Sequence, residues 1–398
     1  MSSARTRLAV LLVSSACAAG AGWIAWRSIQ ARRQAVVQLH VAPRPADAAP
    51  ISGPAKPEGT TPAELLPRDP KEWRYYLSVA QASKLYAITN DPLQVYDPWV
   101  YCRDVGNVTL EMHWKEHPAG KFTWKTNSLG CREDHELAVP PADLRVLVAG
   151  DSHTCGLCND DESYPNLLET SIKRARGGKS VEVLNAALGG YSFYNYLGTL
   201  LRLRDFEPQV FVVGIFGGND FNELLPLYLP FHGKPWTALS KEQEARRARG
   251  LAVSPDAMGQ GFATLDAFRN FPREEELALR GSLEMCAEIQ RTASACGARL
   301  VVVYIPSPFE LGSYESDERV PRIRRALELS EADLGLLPRL SDSLTSGLRE
   351  QGIELIDMRK PFAAEPEPPY WKEDFHLNLR GHKLIAQALE PLVTAKLR

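Results

Sequence analysis

Val146-Leu147-Val148-Ala149-Gly150-Asp151-Ser152 is the stretch that decides how this chain is read. An apolar run closed by glycine and then by small polar residues is the pattern of a buried parallel strand whose C-terminal end delivers a side chain to a crevice. What it delivers is the hydroxyl of Ser152, at a nucleophile position. So short a motif recurs by chance, so its weight depends on its company.

Three more clusters close on predicted strands. Val181 to Asn185 runs toward Gly189-Gly190-Tyr191-Ser192, and Val210 to Phe216 runs into Gly217-Gly218-Asn219-Asp220. After Ile353 to Ile356 comes Asp374-Phe375-His376-Leu377-Asn378, then Gly381 and a helix. Acyl transfer needs these residue types. A serine hydroxyl attacks well only when a neutral imidazole takes its proton, and the imidazole needs a carboxylate to fix its tautomer. Ser152, His376 and Asp374 suit those roles. The N–H groups of Ser152 and Gly190, with the Asn219 amide, suit an oxyanion hole, where each donor is worth about 3 kcal/mol.

The ordered set Gly150-Asp151-Ser152, Gly190, Gly217-x-Asn219-Asp220 and Asp374-x-His376 resembles the SGNH (GDSL-type) hydrolases. The resemblance spans roughly residues 126 to 395 and includes the lead-in Thr126-Asn127-Ser128-Leu129-Gly130. It implies a three-layer α/β/α fold with a mostly parallel five-stranded sheet. It also implies ester hydrolysis or acyl transfer on carbohydrates, lipids or small esters, with no metal or organic cofactor. One position departs from the family. Most members carry the carboxylate three residues before the histidine, where this chain has Glu373, whereas Asp374 stands two before. That shorter spacing resembles members that modify envelope polysaccharides. On that resemblance Asp374 is the expected partner and Glu373 the fallback; adjacent side chains on an extended loop point opposite ways, so only one of them reaches the imidazole.

With 398 residues, 44% of them hydrophobic and 24% charged, the chain has the composition of a globular enzyme with appendages. A formal net charge of -3 shows no basic excess and argues against nucleic acid as a partner. Leu8 to Trp26 is free of charge and, as a helix, would span about 28 Å, close to the hydrocarbon thickness of a bilayer. It reads as a membrane anchor holding the catalytic domain on the exported side of a cell envelope. A cleaved signal peptide ending at Ala16-Cys17-Ala18, with a secreted product, is the alternative. The expected organisation is an anchor or signal over 1–34, a proline-rich linker over 35–72, and a helix-plus-hairpin module over 73–135. The hydrolase domain then covers 136–398, with an insertion over 221–273.

Within the module, a helix is expected from Trp73 to Ile88. Alternation from Val108 to Trp114 and at Phe122 and Trp124, around Pro118-Ala119-Gly120, predicts a β-hairpin. Pairing Trp114 with Lys121 brings Cys102 nearly opposite Cys131, which predicts a disulfide at its open end. Cys155 and Cys158 form a C-x-x-C just after the nucleophile. It reads as a local disulfide bracing that loop, with a thioredoxin-like redox motif as the rival reading. Cys286 and Cys296 lie about 15 Å apart along one predicted helix and are not partners. In the insertion, Tyr228, Phe231, His232 and Trp236 offer an aromatic platform for a sugar ring, or simply pack a loop.

The function expected is a serine ester hydrolase acting through an acyl-enzyme on an O-acyl ester, such as an O-acetyl ester, of a carbohydrate, lipid or envelope polymer. An O-acyltransferase with the same triad, a non-catalytic binding module, and a thiol-disulfide oxidoreductase using Cys155 and Cys158 are the alternatives.

Overall fold

The computed structural model describes residues 66–395 except 87, 89, 90, 177–179 and 236. The expected membrane anchor and almost all of the linker lie outside the described residues. Among the described residues, no helix is long and apolar enough to cross a membrane.

The centre is a five-stranded parallel sheet: β5 (Leu144–Ala149), β6 (Val181–Asn185), β7 (Val210–Phe216), β8 (Arg299–Ile305) and β9 (Glu354–Asp357). They lie in the order β6-β5-β7-β8-β9, every neighbouring pair parallel. Their sequences predict this burial. β7 is apolar throughout and buried at every position, which only a strand covered on both faces allows. Helices Tyr164–Arg176 and Leu379–Ala395 pack together on one side of the sheet. Phe193–Arg202, Pro272–Ala295 and Leu336–Glu350 form the opposite layer. Each large apolar side chain sealed between these layers stabilises the fold by about 1.5–3 kcal/mol. The order runs outward in both directions from β5, so the ends of β6, β5 and β7 form the crevice where such sheets bind ligands.

The N-terminal segments share this core. Strands β1 (Gln94–Val95) and β2 (Arg103–Asp104) pair with each other, and β3 (Thr109–His113) pairs with β4 (Lys121–Lys125). The expected hairpin forms one residue out of the predicted register, with His113 rather than Trp114 opposite Lys121. The expected helix from Trp73 to Ile88 is shorter. It covers Val79–Leu85, because Ser78 and Gln81 form a capping box that starts it there. Trp73, Tyr75, Trp99 and Tyr101 instead pack as an aromatic cluster.

The Cys102–Cys131 disulfide does not exist, and among the described residues all six cysteines are reduced. Beyond the hairpin, the Asn127 N–H donates to the Cys131 carbonyl. On the other arm, Arg103 pairs with Val95, and the Cys102 thiol is engaged instead by Gln94, its Sγ 3.1 Å from Oε1.

Candidate active site

Ser152 is the first residue of a single helical turn, Ser152–Cys155, directly beyond β5. Gly150 makes the turn possible, since a Cβ there would meet Thr154 Oγ1 at 1.9 Å. Asp151 caps the turn through the His153 N–H at 2.9 Å. Behind it lies Arg132, 1% exposed. Its Nη1 donates to the carbonyls of Cys155 and Gly156 at 2.8 and 2.9 Å, and its Nη2 to that of Cys158. An ion pair with Asp160 at 2.8 Å and the Trp124 ring at 4.0 Å complete its surroundings. This buried guanidinium braces the nucleophile loop where the sequence suggested a Cys155–Cys158 disulfide. Both thiols are reduced and wholly buried. Burial pushes the Cys155 thiol up to about 12 and Cys158 up as well. A redox or nucleophilic cysteine needs a depressed pKa and access, so the oxidoreductase reading fails here.

The imidazole arrives on the loop before the last helix. Asn378 ties that loop down, donating to the carbonyls of Pro368 and Tyr370 at 3.1 and 2.9 Å and accepting from the Gly381 N–H at 3.0 Å. Glu116, from the hairpin turn, accepts the N–H groups of Lys372 and Glu373 at 2.7 and 2.8 Å. Phe375 takes a left-handed φ of 66°, held by packing of its buried ring on Phe309 and Tyr314.

The loop brings three side chains into line. Asp374 Oδ2 accepts from His376 Nδ1 at 2.7 Å, and His376 Nε2 lies 2.9 Å from Ser152 Oγ. Asp374 Oδ1 also accepts the His376 N–H at 3.1 Å. Burial pulls the imidazole pKa down, but the charge and hydrogen bond of Asp374, with the charges of Asp151 and Asp256, outweigh it and hold it above its usual 6.5. Glu373, the fallback acid, is exposed and takes no part in this line. The loop uses its backbone instead, as the Glu373 carbonyl accepts from Arg319 at 2.6 Å.

Gly190 and Asn219 flank Ser152 from the ends of β6 and β7. A Cβ on Gly189 would lie 3.7 Å from that of Ser152, so this loop passes beside the nucleophile, and Gly190 turns it with φ of 77°. Asn219 Nδ2 makes only a long 3.4 Å contact to Glu223 Oε1, a bond that an oxyanion can displace. Asp220 is structural: its Oδ2 accepts from the Phe216 N–H at 3.0 Å and the Tyr196 hydroxyl at 2.8 Å.

Residues 148–384, more than half of the chain, match the sequence profile of the GDSL-like Lipase/Acylhydrolase family. The chain belongs to that family. No curated protein matches it significantly. Among solved structures it is similar to TesA, at 14% identity and a TM-score of 0.36 over 63% of this chain and 98% of that one. It is also similar to the acetyl xylan esterase AlAXEase, at 15% identity and a TM-score of 0.36 over 63% and 100%. An acetylxylan esterase of Geobacillus stearothermophilus shows 13% identity and a TM-score of 0.38 over 64% and 95%.

This GDSL-like site also recruits residues the sequence did not single out. Gln260, beside a kink at Gly261 between two helical segments of the insertion, places its side-chain Nε2 3.2 Å from His376 Nε2. Asp256 lies near enough for its charge to be felt by the imidazole, and burial pushes its own carboxyl up to about 6. No sequence motif marks Gln260; its approach depends on Gly218, where a Cβ would meet the Gln260 carbonyl oxygen at 2.4 Å. His153, next to the nucleophile, is fully buried. It stacks on Phe216 at 3.6 Å and on His376 at 4.9 Å. His382 sits on the last helix and accepts the Tyr164 N–H.

The aromatic platform is not assembled at the nucleophile. The helix Asp220–Phe231 continues through Pro226 and Pro230, so Tyr228 lies about 13 Å along it from Asn219. Tyr228 and His232 stack on each other at 4.0 Å and face Glu284 of the opposing helix. Trp236 lies outside the described residues.

Proposed function

We propose that this chain is a serine hydrolase that removes an O-acyl group, foremost O-acetyl, from a carbohydrate, lipid or envelope polymer through an acyl-enzyme. Ser152 Oγ attacks the ester carbonyl carbon while His376 Nε2 takes its proton, and Asp374 holds Nδ1–H and stabilises the imidazolium. The N–H groups of Ser152 and Gly190 and the Asn219 amide hold the oxyanion. Collapse expels the alcohol, protonated by His376, and leaves the acyl group on Ser152. Water, activated by the same imidazole, then releases the acid. The Ser152–His376–Asp374 alignment, at 2.9 and 2.7 Å, carries this reading. Membership of an acylhydrolase family supports the reaction class. The charge-free run from Leu8 to Trp26 supports a membrane-anchored enzyme acting on an immobile envelope substrate.

The test is labelling with a fluorophosphonate, followed by screening nitrophenyl acetate and acetylated glycans. Wild type is tagged and releases acetate, whereas Ser152→Ala is untagged and at least about 10³-fold slower. Equal labelling of both proteins refutes the assignment.

A further inference from the structure

A buried chain of hydrogen bonds ends on the atom of His376 that must accept the serine proton. It begins at the backbone N–H of Leu377, which donates to His153 Nδ1 at 3.3 Å. His153 is fully buried, and burial, with the charge of His376, keeps its imidazole neutral. A neutral ring carries one N–H, so an Nδ1 that accepts leaves the proton on Nε2. His153 Nε2 therefore donates to Gln260 Oε1 at 2.8 Å. That fixes the amide the other way round, with its NH₂ directed at His376 Nε2, 3.2 Å away. Because Nδ1–H of His376 is engaged by Asp374, Nε2 holds a lone pair, and two donors converge on it: Ser152 Oγ and Gln260 Nε2.

The donor is held firmly. The Gln260 carbonyl accepts from Ser307 Oγ at 2.8 Å and rests against Gly218, while the His153 ring lies stacked on Phe216.

We propose that Gln260 is a positioning residue for the reaction: oriented by Leu377 and His153, it donates to His376 Nε2 and keeps that nitrogen unprotonated in the resting enzyme. This rests on the reading of His376 as the base of Ser152. The donor opposes the surrounding charges. Asp374 on the same loop, Asp151 on the nucleophile turn and Asp256 in the insertion all favour the imidazolium, while burial disfavours it, and the neighbouring rings of His153 and His382 are held neutral by their own burial. A donor aimed at Nε2 stabilises only the form with a lone pair there. It thereby widens the acidic range in which the base is available, and it yields its place when Nε2 takes the serine proton.

The experiment follows the His376 ring by ¹⁵N-histidine NMR titration in the full-length protein, beside the pH profile of kcat/KM on nitrophenyl acetate. Gln260→Met keeps the shape and removes the donor, and moves both the titration and the acid limb up by about half to one pH unit. Gln260→Glu, which places a carboxylate on Nε2, moves them further in the same direction. His153→Phe keeps the stack but frees the amide, and gives a smaller upward shift. The NMR titration needs no turnover. If no ester is hydrolysed, the hydrolase reading fails while the NMR shift still decides this one. An unmoved or downward titration in folded Gln260→Met overturns the proposal. Should that variant unfold, the same result in Gln260→Glu overturns it.

Discussion

The nucleophile loop and the histidine loop meet at one hydrogen bond but are held in opposite ways. The first springs directly from a central strand and is capped by Asp151, and its main buried support is a cation: Arg132 gathers three backbone carbonyls and an Asp160 carboxylate. The second stands between β9 and the last helix and is pinned at many points, by Asn378 from within and by Glu116 and Arg319 from the outside. A loop resting on one buried charge fails when that charge is removed. A loop pinned by distributed backbone bonds should tolerate the loss of any one of them, so its sensitivity lies in the chemistry of Asp374 and His376.

The sharpest probe of that contrast is Asp374→Asn, which leaves the loop's other ties in place and removes the negative charge from His376. We expect kcat to fall by about 10³–10⁴-fold, as when a triad carboxylate is neutralised. The sign of the accompanying pH effect follows from the charges. Asp374 raises the imidazole pKa, and the base must be neutral, so wild-type activity is lost on acidification at a pH above 6.5. Without the carboxylate the limb moves to lower pH. Conversely, Glu373→Gln should change neither rate nor limb. The same shift has a stability sign: the protonated ring favours the fold fully below about 6.5 and progressively less as pH rises through its folded value. The catalytic form is thus the one that contributes less to stability.

On the other arm, Arg132→Leu should cost about 3–5 kcal/mol in chemical unfolding, because it strands Asp160 and three carbonyls in the interior. Adding Asp160→Asn should return part of that loss. If the single variant is as stable as wild type, the nucleophile loop does not depend on its cation.

How much of this was legible follows the same division. The strand-end loops were readable because buried parallel strands are written as continuous apolar runs, and because Gly150, Gly190 and Gly217 punctuate them next to chemically committed residues. Asp374 over Glu373 followed from the resemblance of the two-residue spacing to some family members, while the alternation of an extended loop said only that one of the two reaches the imidazole. The hairpin slipped by one residue because both faces of β3 and β4 remain partly exposed, which leaves register weakly specified. The insertion was opaque. The aromatics around Pro230 read as a platform or as loop packing, yet a helix runs through Pro226 and Pro230 and carries Tyr228 and His232 away from Ser152. Gln260 belongs to no motif. Its role arises from a tertiary approach permitted by the bare Cα of Gly218, and one sequence does not record which glycine makes room for which backbone.

The smallest expected effect is at the cysteines, and it tests what braces the nucleophile loop. The C-x-x-C spacing invited a covalent brace, whereas both thiols are reduced, buried and packed beneath Arg132. Cys155→Ala and Cys158→Ala remove only small buried side chains, so each should cost on the order of 1 kcal/mol in unfolding. Esterase activity should stay within about twofold of wild type, because neither sulfur reaches the Ser152–His376 line, and reductant should leave both rate and unfolding midpoint unchanged. A disulfide brace predicts the reverse: destabilisation of wild type by reductant, and identical large losses in both variants. Titration of accessible thiols before and after unfolding separates the two, since two reduced cysteines appear only on unfolding while a bridged pair appears only on reduction.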